Sequence, residues 1–173
     1  VLRIDREEHV VCGAITYAEG ALDEGYRQVP DPARHEYLKG QTKVMLRNAG
    51  SIDPENIYEY IARGGYQALR KALSMQPDMI IDEVTKSGLR GRGGGGFPTG
   101  IKWKSCKDAA GREKYLICNV SEGEPGIGMH RSFLESDPHA VLEGLIIGGY
   151  AMGAHTAYVY IRDNYRVALK RFA

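Results

Sequence analysis

Residues Tyr115 to Val120 read YLICNV, and residues Thr156 to Ile161 read TAYVYI. Each is a continuous apolar run of strand length, rich in β-branched and aromatic side chains, and each predicts a buried strand. Between them, Met129 to Leu134 has helical character. Ser136-Asp137-Pro138 then caps a long helix over 139–152, in which Gly148 and Gly149, with Gly153 just beyond, permit close packing. Asn164 opens one more helix. Strand, helix, strand, helix is the order of a parallel sheet covered by helices, so the fold class is α/β.

Upstream of the first strand, residues Ser87 to Trp103 read SGLRGRGGGGFPTGIKW, with Arg90, Arg92 and Lys102 among the glycines. A helix interior is excluded, because each glycine there costs about 1 kcal/mol relative to alanine. A strand is disfavoured because glycine offers nothing to pack. Bare backbone can instead turn successive N–H groups into one concavity and hold an anion, and the cations add charge-assisted hydrogen bonds. The stretch reads as a binding loop for a phosphorylated, planar cofactor. A flexible linker is the plainer reading, but linkers favour serine over aromatics, Pro98 and arginine. Gly91 to Gly96 fits the pattern G-x-G-x-x-G. The dinucleotide fingerprint needs a strand before the glycines, however, and a helix comes first here. No Gly-Lys-Ser/Thr follows, so a P-loop is excluded as well.

That preceding helix begins after Pro77 and carries Ile80, Ile81 and Val84. A shorter one runs over 66–74 with Leu69 and Leu73. Before it, Asp53 is the expected N-cap of a helix with Pro54 in its first turn and Ile57, Tyr60 and Ile61 on its apolar face; Gly64 and Gly65 end it. Lys102 to Asp108 predicts a short helix after the glycine loop. Residues 1–50 read as an N-terminal arm. It includes two short strands near its start, an extended stretch around Pro30 and Pro32, and QTKVMLRN (41–48) as either a strand or more of the arm. His9 and His35 read as solvated.

The first apolar run ends in Asn119, Ser121, Glu122 and Glu124. The carboxyl ends of strands are where open α/β sheets bind ligands. Asn119 offers donors and acceptors, and the two glutamates offer acceptors to hydroxyls, an amide or a ribose. Both also read simply as exposed loop carboxylates. His130 and His139 read as capping or surface residues. The net charge of +1 and these carboxylates argue against nucleic acid. No apolar run is long enough to span a bilayer, and no signal peptide is evident. Three widely separated cysteines without a CxxC argue for a reducing compartment and against a metal site of this chain's own. Cys118 reads as a small buried hydrophobe. Val1 in first place predicts a fragment of a longer chain.

GLRGRGGGGFPTGIKW (88–103), CNVSEGEPG (118–126), DPHAVLEG (137–144) and GAHTAYVYIR (153–162) together resemble one family. It is the flavin-bearing, NADH-oxidising subunit of respiratory complex I, with relatives in NAD-linked and electron-bifurcating hydrogenases and formate dehydrogenases. The resemblance runs from about Gln41 to the end. It implies a Rossmann-like FMN-binding domain, here its first part, over 51–173. It implies FMN contacts at Gly91, Arg92, Gly93, Gly94, Lys102, Asn119, Ser121 and Glu122. Phe97 and Glu124 match residues at the NADH nucleotide. A carboxylate is common in the family where this chain has Ser121, which implies one altered FMN contact; an aromatic stands in some members where Ser105 is, which leaves NADH against NADPH open.

The resemblance further implies hydride transfer from NADH to FMN by stacking, with no side chain acting as acid or base. Electrons then pass to iron–sulfur clusters, including a 4Fe-4S cluster whose cysteines lie beyond Ala173. The implied partners are iron–sulfur subunits of a larger redox complex, and the implied location is cytoplasmic, without direct membrane insertion. The alternative is a non-catalytic docking or scaffold module of such a complex.

Overall fold

The computed structural model describes residues 40–124 and 126–172. The expected strands and extended stretch before residue 40, with His9, Cys12 and His35, lie outside the described residues. The elements in order are α1 (Ile57–Ala62), α2 (Gln67–Leu73), α3 (Pro77–Lys86), α4 (Thr99–Asp108), β1 (Tyr115–Val120), α5 (Met129–Ser136), α6 (Pro138–Met152), β2 (Thr156–Ile161) and α7 (Arg166–Phe172). They divide between two compact units.

One unit comprises Gly64–Ser121 and Ala140–Arg162. It holds α2, α3, α4, most of α6 and both strands. β1 and β2 pair in parallel, in register from Tyr115 opposite Thr156 to Val120 opposite Ile161. The fold is therefore mixed α/β, a parallel pair with helices before, between and after its strands. Its core is Ala72, Ile80, Ile81 and Ala151, with Met75, Trp103 and Ile147 packed against them. Burying each large apolar side chain is worth about 1.5–3 kcal/mol. Glu143 on α6 accepts from the backbone N–H of Tyr66 at 3.0 Å and of Leu69 at 2.9 Å, satisfying donors at the open end of α2.

The strands stand where the sequence puts them, but they are not buried on both faces. Tyr115, Ile117, Tyr158 and Tyr160 are 51%, 67%, 58% and 65% exposed. Residues two apart share a face and registered partners lie side by side, so these four line one open surface, where the Tyr115 and Tyr158 rings lie 6.1 Å apart. The opposite face ends in Val120, only 3% exposed. An apolar run reports an affinity for cover on both faces; the described residues supply little on one of them.

The other unit comprises Glu122–His139, Asp163 onward, and the described residues up to Arg63. It holds α1, α5 and α7, with Tyr60, Leu134 and Ala168 fully or nearly buried. Tyr60 stacks on His139 at 5.5 Å. Residues 41–48 form no strand: the chain turns, with the Ala49 N–H donating to Leu46 O at 3.0 Å and the Ser51 N–H to Asn48 O at 2.9 Å. Asn48 turns inward instead and donates to the buried Asp137 carboxylate at 2.7 Å.

Helix α1 also starts later than the sequence suggests. Asp53 Oδ1 accepts from the Glu55 N–H at 2.9 Å and closes a local turn, and Asn56 caps the helix through Oδ1 on the Tyr58 N–H at 3.1 Å. Two short polar side chains compete for the same job and the later one takes it, while Glu59 accepts from the Asp53 N–H at 2.7 Å. Of the expected apolar face only Tyr60 is buried; Ile57 and Ile61 are 41% and 47% exposed.

Candidate functional site

The glycine stretch forms a loop pinched at its neck. Arg90 and Pro98 make an antiparallel bridge. The Gly91 N–H donates to Phe97 O at 2.8 Å, and the Thr99 N–H donates to Leu89 O at 2.9 Å. The Arg90 guanidinium donates to Gly96 O at 3.0 Å, so this cation is spent on the loop's own backbone. Thr99 then begins α4, which places a helix N-terminus, with its partial positive charge, directly after the loop.

Within the neck the backbone is bare. A Cβ added at Gly93, Gly94, Gly95 or Gly96 meets nothing within 4 Å, and one at Gly91 lies at an ordinary 3.6 Å from Phe97 O. Gly94 has φ +100, a conformation that side chains resist. The flanking cations divide cleanly. Lys104 and Lys107 bind carboxylates, Lys107 with Asp78 at 2.5 Å and Lys104 with Asp108 at 3.1 Å. Arg92 and Lys102 are exposed and form no ion pair or side-chain hydrogen bond among the described residues. Phe97 is 51% exposed at the loop's descending side.

Asn119 and Ser121 follow at the carboxyl end of β1, in the same unit as the loop. Asn119 Oδ1 accepts from the Ser121 N–H at 3.1 Å, which bends the chain out of the strand and leaves the Asn119 side chain exposed. Cys118, one residue earlier, is half-buried rather than fully so, and burial pushes its thiol above the ordinary range. That keeps it protonated and a poor nucleophile.

Glu122 and Glu124 belong to the other unit and differ sharply from each other. The Glu122 side chain is fully buried. Oε1 accepts from the His130 N–H at 2.7 Å, and Oε2 accepts from the Arg131 N–H at 3.1 Å and the Tyr165 hydroxyl at 3.2 Å. It thus caps the first turn of α5. Glu124 is exposed, and its carboxylate has no partner among the described residues. Gly91, Arg92, Gly93, Gly94, Phe97, Lys102, Asn119 and Ser121 therefore share one unit, with Glu122 and Glu124 in the other.

Sequence reasoning missed the capping work of Glu122, the hydroxyl of Tyr165 that meets it, and Gly100, where an added Cβ would fall 2.1 Å from Thr85 Oγ1. No local signal carries the first two, since the partners lie 8 and 43 residues away.

Residues 84–173 match the family described as the Nuo51 FMN-binding domain. The chain belongs to that family. It is 52% identical over 133 residues to the NADP-reducing hydrogenase subunit HndC of Solidesulfovibrio fructosivorans, covering 77% of this chain and 27% of that protein. It is 54% identical over 129 residues to an NADH-quinone oxidoreductase subunit of Rhizobium meliloti (strain 1021), covering 74% of this chain and 31% of that protein. The structure of an air-oxidized NAD+-reducing [NiFe]-hydrogenase matches with a TM-score of 0.59 at 36% identity, over 76% of this chain and 21% of that one. The chain thus spans under a third of the length of these curated relatives.

The loop offers a cradle that side chains would fill, donors in its backbone, and two cations with no other partner among the described residues. A planar, phosphorylated group suits that donor set. Among the described residues, no cluster of His, Cys, Asp and Glu is placed to hold a metal ion, and no helix is long and apolar enough to cross a membrane.

Proposed function

We propose that this chain is the flavin-binding part of an NADH-oxidising subunit within a larger redox complex. The observation that carries the reading is the open glycine loop flanked by Arg92 and Lys102, the two cations left without partners among the described residues where neighbouring lysines are paired. In this reading Gly91, Arg92, Gly93 and Gly94 lie along FMN, and Lys102 gives its ammonium to the cofactor's anionic end. Asn119 and Ser121 meet its polar tail, and Glu122 stays beside it with its carboxylate pinned by α5. Phe97 and Glu124 serve the nicotinamide nucleotide: an exposed ring for stacking, and an unpaired acceptor for ribose or amide.

Bound FMN supplies the ability to take a hydride from a nicotinamide and to release electrons one at a time. The chain's own residues bind and orient, and none is asked to transfer a proton. Iron–sulfur clusters and the subunits carrying them receive the electrons in the complete assembly. A cytoplasmic placement, peripheral to a membrane where the complex has one, belongs to the same proposal.

The test is flavin binding by the full-length subunit. FMN addition should give a yellow protein, and Lys102→Ala should weaken retention about tenfold or more, the size of one charge-assisted hydrogen bond. Glu124→Ala should raise the NADH KM about fivefold while leaving flavin content alone. A protein that is colourless once excess FMN has been removed would overturn this reading in favour of a scaffold module.

A further inference from the structure

The turn that presents Glu124 is held from behind. Glu122 has φ 45, one of two side-chain-bearing residues among those described with positive φ. That left-handed conformation persists only where its surroundings over-determine it. Here they do so through the buried carboxylate. The first turn of α5 supplies two N–H donors, at 2.7 and 3.1 Å, and those suffice for a helix cap. The Tyr165 hydroxyl adds a third donor at 3.2 Å, from the segment that leads into α7.

Tyr165 is itself fixed. It is only 8% exposed, and the Arg131 guanidinium lies 5.5 Å from the centre of its ring. Arg131 Nε is tied in turn to the buried Glu135 carboxylate at 2.8 Å, and the Arg171 guanidinium donates to Glu135 O. A chain of contacts thus runs from α7 through Glu135, Arg131 and Tyr165 to Glu122. Two residues beyond Glu122, past Gly123, where an added Cβ meets nothing within 4 Å, stands Glu124 with its exposed carboxylate.

We propose that Tyr165 is a positioning residue for the nucleotide contact. By locking Glu122 in its left-handed conformation it sets the direction in which Glu124 leaves the turn. This rests on the reading of Glu124 as the NADH-facing acceptor. The bland account, that Tyr165 only satisfies a buried charge, predicts lost stability and nothing at the nucleotide.

The experiment uses the full-length subunit in its complex and compares Tyr165→Phe, Glu124→Ala and the double variant. Tyr165→Phe keeps the ring and its contact with Arg131 and removes one hydroxyl. The NADH KM should rise about two- to fivefold, up to but not beyond the loss of Glu124 itself, with kcat within about twofold and flavin content unchanged. In the Glu124→Ala background the same substitution should add nothing, because one residue acts through the other. Glu122→Gln, which reaches the turn by a second route, should raise KM in the same direction. An unchanged KM in Tyr165→Phe, or effects of Tyr165→Phe and Glu124→Ala that simply multiply, overturns the proposal. If Glu124→Ala alone leaves KM untouched, the parent reading of Glu124 fails instead, and the two failures are distinct.

Discussion

Gly93 and Gly100 belong to one glycine-rich run, yet a Cβ added at the first meets nothing within 4 Å, while at the second it falls 2.1 Å from Thr85 Oγ1 and 2.8 Å from the Thr85 backbone Cα and N. The first glycine keeps space open beside the chain. The second closes space between two helices, letting α4 lie on α3. Gly148 repeats the second use: its missing side chain makes room for Trp103, whose Cζ2 would lie 3.2 Å from an added Cβ. Composition treats these residues alike. The difference teaches that a run of one residue type can carry both the mouth of a site and the joint that holds it.

Gly100→Ala is the sharpest way to break that contrast. The clash is with backbone as well as a hydroxyl, so no rotamer change relieves it, and about 3 kcal/mol of stability should be lost. Calorimetry should show Tm falling by about 10 °C. Thr85→Ala should fail to rescue the variant, since the main-chain atoms at 2.8 Å remain. Rescue would mean that the hydroxyl alone sets the helix spacing.

Gly93→Ala should do the reverse. Its added methyl enters open space from a backbone whose φ is not left-handed, so stability should stay within about 0.5 kcal/mol of the parent. FMN affinity should nevertheless fall about tenfold, because the methyl stands where the ligand approaches the backbone. Fluorescence titration with FMN measures this, and wild-type affinity would show that the flavin does not lie along Gly93.

How much of this was legible follows the same division. The two strands, α3 and α6 were readable because their apolar spacing and their bounding Pro and Gly residues are local signals. The glycine loop was readable as a loop because helix interiors and strands both reject a run of glycines. What stayed hidden depends on residues distant in sequence. The 41–48 segment looks like a strand by its alternation, but Asn48 is claimed by Asp137, 89 residues away. Glu122 looks like a free ligand until α5 and Tyr165 are in place around it. Gly100 looks like one more member of the loop until Thr85 lies against it.

The smallest expected effect lies on the surface of the same helix joint. Asp78 on α3 binds Lys107 of α4 at 2.5 Å, with Lys104 further off at 3.8 Å. The hydrogen bond from Lys107 does most to hold its carboxyl below the usual carboxylate range; desolvation opposes it, and the positive charges of Lys107 and Lys104 add to the lowering. A carboxyl depressed in the fold stabilises above its unfolded pKa and loses that contribution as pH falls through the folded value. Asp78 is exposed, so solvent and salt screen most of the attraction. Asp78→Asn should therefore lower Tm only slightly at pH 7, and the gap to the parent should close as pH drops below about 4. Adding about 1 M salt should close it too. A gap that persists in acid would mean that Asp78 holds the helices by shape rather than charge. The joint would then depend on its side chains at the rim as it depends on the absence of one at Gly100.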